Sequence, residues 1–168
     1  MSVFSGNSNL AVGRRDLLSV CIVLATGLAA SRAEARRRKR PKILFICQYG
    51  TAKSAIAREV FRRQARLRGI DADAFSRGMT LEDHLSPEIR INLKADQIDP
   101  IADLPKTLSR RDWMKADIVV AFNPLPETIR HPDVRDWTDL PSVNENYSNA
   151  RVILDKRIDS LLDEIKKR

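Results

Sequence analysis

Apolar residues along this chain follow two rhythms. From residue 42 onward, short unbroken apolar runs alternate with longer stretches in which apolar positions recur every three or four residues. The first pattern reads as a strand buried on both faces, the second as a helix with one face on a core. Lys42–Cys47 (KILFIC) is a run of the first kind. Residues 52–69 follow, with Ala55, Ile56, Val60, Phe61 and Leu67 at helical spacing and Gly69 as the stop. Arg58, Arg62, Arg63, Arg66 and Arg68 fill the other positions and read as a solvated face. Residues 71–76 predict a second strand, closed by Gly78. Ser86-Pro87-Glu88 opens a helix, with a capping hydroxyl followed by proline at the first helical position. Residues 109–115 predict a short helix, 116–122 a third buried strand that Asn123-Pro124 breaks, and 125–130 one or two helical turns. A weak fourth strand falls at 134–137. Tyr147–Lys167 predicts a long final helix striped by Val152, Ile153, Ile158, Leu161, Leu162 and Ile165.

Strand and helix alternate, so the expected class is α/β: three layers, with a central, mainly parallel sheet of about four strands flanked by helices. The 168 residues suffice for one such domain with a real core. In sheets of this kind the binding crevice lies outside the carboxyl ends of the strands. Cys47, Asn123 and the segment 137–141 all leave such ends, so three loops are expected to converge.

Charge changes the picture little. The net charge is +8, but six positive residues crowd into positions 36–42, and the body beyond them is nearly neutral. A short basic stub over 36–41 is expected to be solvated or to act as a topology signal, not to bind nucleic acid. Ahead of it, Arg14-Arg15 precedes an apolar run over 17–30, and Ala33-Glu34-Ala35 offers small residues at a signal-peptidase spacing. Residues 1–35 therefore resemble a twin-arginine signal peptide, the only expected membrane contact. The expected location is periplasmic or exported, and otherwise cytoplasmic. The run of fourteen residues is short for a membrane span. The arginines just after the cut oppose translocation. Removal of the signal takes Cys21 with it and leaves Cys47 as the one thiol, so no disulfide framework is expected.

Chemistry concentrates in Cys47-Gln48-Tyr49-Gly50-Thr51-Ala52-Lys53-Ser54, between the first strand and the first helix. A thiol there faces unpaired backbone N–H groups and the positive end of a helix dipole. Such a place binds an oxyanion and favours the thiolate. The bland alternative, a buried small hydrophobe, is the commoner fate of a lone cysteine, but a turn position after a buried strand favours the functional reading. Ser54 could simply cap the helix. His84 and His131 stand in loop-like surroundings and read as surface residues. Trp113 and Trp137 read as core or crevice wall. No His or Cys pair has metal-ligand spacing, and neither metal nor cofactor is expected.

Strand, Cys-x5-basic-Ser, then helix: the chain resembles the low-molecular-weight protein tyrosine phosphatases and the arsenate reductases built on the same fold. The likeness spans residues 42–168. Residues 116–123 look like the family's later strand and loop, and Asp136-Trp137-Thr138-Asp139-Leu140-Pro141 falls where the family carries its acid loop. The resemblance implies a metal-free hydrolase of phosphorylated proteins or small phosphomonoesters that works through a cysteinyl-phosphate. Cys47 would be the nucleophile. Gln48, Tyr49, Gly50, Thr51, Ala52, Lys53 and Ser54 would bind phosphate, and Ser54 would support the thiolate. Asp139 would be the acid, with Asp136 in reserve. Lys53 stands where the family has arginine, a point charge in place of a planar fork. Gly50 comes one place later than usual, Leu140 separates Asp139 from Pro141, and the aromatics that follow the acid loop are missing, with Tyr49 or Trp137 as substitutes. Two other functions stay open: a phosphate- or phosphoprotein-binding module with little catalysis, and an arsenate reductase that uses an external thiol, since no further cysteine relays the reaction.

Overall fold

The structure, a computed structural model, describes residues 40–101 and 103–168. The expected signal peptide and most of the basic stub lie outside the described residues. Four strands form one all-parallel sheet in the order β2-β1-β3-β4: β1 Lys42–Cys47, β2 Asp73–Gly78, β3 Ile118–Ala121 and β4 Val134–Asp136. Four helices join or follow them: α1 Lys53–Leu67, α2 Pro87–Ala95, α3 Arg110–Lys115 and α4 Tyr147–Lys167. The expected α/β architecture is what forms.

β1 is central because its residues can be buried on both faces, and Ile43 to Ile46 are wholly inaccessible. Side chains alternate across a strand. Ile43, Phe45 and Cys47 therefore point into the larger core under α1 and α4, while Leu44 and Ile46 point to a smaller cluster that includes Trp113 of α3. Phe45 anchors the larger side. Its ring lies 5.9 Å from Phe61, 6.3 Å from Phe122 and 6.2 Å from Trp137, in edge, stacked and tilted contacts. The same parity that buries Phe45 turns the Cys47 sulfur toward the start of α1.

α1 ends as expected, with Gly69 at φ +63 accommodating the left-handed turn. Of its arginines, Arg66 and Arg68 are exposed as expected, but Arg58, Arg62 and Arg63 are not. Arg58 is 1% exposed and donates to Ser76 Oγ at 2.8 Å, Pro100 O at 2.9 Å and Asp103 O at 3.2 Å. Arg63 donates to Asp96 O at 2.8 Å and to Gln97 O. A guanidinium with five donors can be buried when carbonyls are presented to it, and the 96–103 loop presents them. Conversely, Leu67 is 81% exposed and Val152 is 53% exposed. The stripe of α4 is instead Ala150, Leu154, Ile158, Leu161, Leu162 and Ile165. β2 begins at Asp73, because the chain first closes a tight turn (Ala72 N to Ile70 O, 3.1 Å) before Asp73 N reaches Pro41 O. Residues 125–130 form one hydrogen-bonded turn, Ile129 N to Pro126 O, and no helix.

Candidate active site

Three strand ends supply the site. Cys47 closes β1, the segment from Asn123 follows β3, and residues 137–144 follow β4. In register, Cys47 pairs with Gly78 at the end of β2. Gly50 has φ +75, and a Cβ there would stand 2.9 Å from Gly78 N. A Cβ on Gly78 would stand 2.8 Å from Gly50 N and 2.4 Å from Thr80 O. Two glycines facing each other let the turn after β1 lie directly over the end of β2. The turn is then pinned: Met79 N donates to Cys47 O at 3.1 Å, Thr80 N to Gln48 O at 2.8 Å, and the Thr51 hydroxyl to Glu82 O at 2.8 Å. Asn123 Oδ1 takes the Gln48 N–H at 3.0 Å, which ties the turn to β3.

Within this frame Cys47 is 4% exposed, and its Sγ accepts the Gly50 N–H at 3.2 Å. The Ser54 hydroxyl lies 3.0 Å from the same sulfur, while Ser54 itself is fully buried. α1 opens with no side-chain cap and no acidic residue in its first turn. Among the described residues, the backbone N–H groups of Thr51, Ala52, Lys53 and Ser54 have no acceptor. Thr51 and Ser54 are buried and Ala52 and Lys53 half-buried, and such a run of donors at a helix start is able to accept an anion. Of the two readings of Ser54, the cap is not formed, and its hydroxyl lies against the sulfur, where either atom could donate.

Cys47, Gln48, Tyr49, Ala52 and Lys53 line a cavity of about 270 Å³, whose far wall is His84, Asn123 and Ser142–Asn144. Tyr49 forms one lip: its ring centre lies 3.7 Å from that of His84, whose Nε2 is 2.6 Å from Glu82 Oε2. Trp137 takes no part in this wall. It is 9% exposed and packs edge-on against Phe122 at 5.8 Å.

The charged residues are placed less simply. Lys53 Nζ donates to Leu140 O, the carbonyl that follows Asp139. Burial pulls the Lys53 ammonium below its ordinary value, and the neighbouring negative charges of Cys47, Glu145 and Asp139 only partly counter this. Asp139 is 70% exposed, and Arg157 grips both of its oxygens, at 2.8 and 2.5 Å. That grip holds the carboxyl below the usual carboxylate range, with help from Lys53. Asp136 accepts the Thr138 N–H at 2.9 Å, which lowers it as well. Neither aspartate lines the cavity. Among the described residues, no group of three or more His, Cys, Asp or Glu could hold a metal ion.

The sequence reading did not find the part played by Gly78, the Asn123 tie, the His84 lip or the Arg157 grip. Gly78 was visible as a strand stop. Asn123 was legible as a residue at a converging strand end, but its tie, the His84 lip and the Arg157 grip depend on contacts across more than 15 residues of sequence.

The structure thus sets a cysteine at a central strand end of a parallel sheet, beside an uncapped helix start. The sequence profile of one family, low molecular weight phosphotyrosine protein phosphatase, matches residues 42–129. The chain belongs to that family. A search of curated proteins finds no match. Among solved structures, YfkJ from Bacillus subtilis is similar at TM-score 0.67 and 17% identity, over 78% of this chain and 98% of that one. A low molecular weight protein tyrosine phosphatase from T. tengcongensis follows at 0.61 and 22%, over 74% and 99%. A thioredoxin-dependent arsenate reductase from Corynebacterium glutamicum reaches 0.62 and 22%, over 86% and 74%. At these identities the likeness is one of fold.

Proposed function

We propose that the chain hydrolyses phosphomonoesters, of the kind borne by phosphorylated tyrosine or small aryl phosphates, through a phosphorylated Cys47. The observation that carries this reading is the Cys47 sulfur, held by the Gly50 N–H and the Ser54 hydroxyl beneath four consecutive unpaired amides. The thiolate attacks phosphorus, the P–O bond to the leaving group breaks, and Asp139 gives that oxygen its proton. Water then attacks the cysteinyl-phosphate, Asp139 takes back a proton, and the P–S bond breaks to release phosphate and thiolate. The loop amides, the Lys53 ammonium and the start of α1 stabilise the charge that spreads over the phosphoryl oxygens. In the same reading, residues 1–35 direct the domain out of the cytoplasm. The test is turnover of 4-nitrophenyl phosphate by the full chain and its Cys47→Ser variant. Turnover is expected only in the parent, and equal rates would end the proposal.

A specific observation favours a second reading. Lys53 gives its ammonium to the Leu140 carbonyl, so anion binding could rest on the main-chain amides while support for the transition state is weak. In a module that binds phosphate without turning it over, Lys53→Arg leaves phosphate affinity and the absence of turnover unchanged. In a hydrolase, restoring the fork raises the rate. The arsenate reductase reading is separated by arsenate-dependent oxidation of an added thiol.

A further inference from the structure

The acid loop is held by a residue outside it. Arg157 lies nearly three turns into α4 and is 25% exposed at its side chain. Its guanidinium sits 5.8 Å over the Trp137 ring, so the fork is steadied by an aromatic face that is itself part of the core. From that position both guanidinium nitrogens meet both oxygens of Asp139. A bidentate pair of this kind fixes direction as well as charge. One residue further on, Lys53 holds the Leu140 carbonyl. The two contacts latch the loop at adjacent positions, one from α4 and one from α1, and leave Asp139 outside the cavity that Cys47 lines.

We propose that Arg157 is a positioning residue for proton transfer: it withholds Asp139 from the Cys47 cavity and so governs when that carboxyl can carry the proton of the leaving group. The inference rests on Asp139 being the acid of the proposed hydrolysis. The charges that face Asp139 are Arg157 from α4, Lys53 from α1 and Asp136 from its own loop. The two cations favour its ionised form, and Arg157 is the stronger through its direct hydrogen bonds. An acid must be protonated when P–O cleavage begins. With the grip intact, that form is confined to lower pH. Substrate changes the balance, because a dianion in the loop draws Lys53 off Leu140 and favours a neutral carboxyl beside it. The grip therefore works against turnover at neutral pH and restrains the loop until substrate is seated.

The experiment compares pH profiles of kcat/KM for phenyl phosphate, whose poor leaving group needs the proton, in the full-length parent, R157Q, R157K, D139N and the R157Q/D139N double variant. In R157Q the basic limb is expected to move to higher pH, with a several-fold gain in kcat/KM on that side. R157K keeps the charge but loses the fork and is expected to fall between. In the D139N background, R157Q is expected to move nothing. A uniform loss at every pH in R157Q, or the same shift with and without Asp139, overturns the inference and leaves an ordinary surface ion pair. A D139N profile identical to the parent's removes Asp139 as the acid and the inference with it. A D139N loss beside an unmoved R157Q profile overturns the inference alone. If a thermal melt shows R157Q unfolded, R157K decides: its basic limb must lie above the parent's.

Discussion

Replacing Gly78 by alanine isolates the contact on which the site's geometry depends. The new methyl carbon would stand 2.4 Å from Thr80 O, 2.8 Å from Gly50 N and 2.8 Å from Tyr49 C. All three are main-chain atoms, so no side chain can rotate away. Non-bonded carbon contacts settle near ~3.5–4.0 Å, so the 49–50 segment must retreat by roughly 0.7 Å or more. Forced overpacking of this kind costs about 1–3 kcal/mol. The displaced segment carries the Gly50 N–H that meets the Cys47 sulfur at 3.2 Å. Misplacing a reacting group by about 1 Å lowers rates by up to ~100-fold. Gly69→Ala is the matched control. It has nothing within 4 Å of its added carbon, but its φ of +63 makes alanine strained by about 1–2 kcal/mol. Urea denaturation should show similar losses of stability in the two variants. Only Gly78→Ala should lose vanadate affinity, by calorimetry, and kcat/KM for an aryl phosphate, by roughly 10–100-fold. A Gly78→Ala protein that is destabilised yet binds vanadate and turns over like the parent refutes the reasoning.

Two further outcomes test the frame around the site. Burial pushes the Asp112 carboxyl up, but hydrogen bonds from Arg77, Ser109 and Lys115 outweigh it and leave it well below the usual carboxylate range. Its contribution to stability is therefore complete above about pH 4, the unfolded value, and is lost as the pH falls toward the lowered folded one; Asp112→Asn should cost about 1–3 kcal/mol at pH 7 and flatten the acid side of the stability curve in urea titrations. Arg58→Met should cost about 2–4 kcal/mol, because Ser76 Oγ, Pro100 O and Asp103 O lose a buried donor. Hydrogen exchange in residues 98–103 should quicken in that variant, and unchanged exchange there would mean that the loop is held by something else.

What could be read before any coordinates was what local pattern decides. An apolar run of strand length, a turn and a helical period suffice to place Cys47 at a strand end, because side-chain parity along β1 leaves no other face for its sulfur. What could not be read was whatever rests on contacts between distant segments. Residue type marks arginine as a surface group, but Arg58 is buried because carbonyls 42 and 45 positions away in sequence reach it. Leu67 and Val152 are apolar by type, yet helical phase turns them to solvent. Tyr49 meets His84 across 35 positions, and Arg157 meets Asp139 across 18, through loops whose course no periodicity encodes. The architecture follows from short-range rules, whereas the rim of the site and the surroundings of Asp139 follow from how three loops happen to meet.

That division bears on the Lys53 substitution. The donors that would hold a phosphoryl group are main-chain amides, fixed by the Gly50–Gly78 approach, the Asn123 tie and the start of α1. None of these depends on the side chain at position 53. An arginine-to-lysine exchange there, as the family resemblance implies, would leave the proposed seat for the anion in place and remove only the planar fork that aligns two of its oxygens. In the proposed site, oxyanion affinity and turnover would thus rest on different atoms, so one could be lost without the other. The ammonium, already lowered by burial and drawn toward Leu140, must be recovered from the acid loop before it can serve the phosphoryl group. In the proposed hydrolysis, substrate binding, the release of Lys53 and the freeing of the Asp139 loop would therefore be coupled through the Leu140 carbonyl.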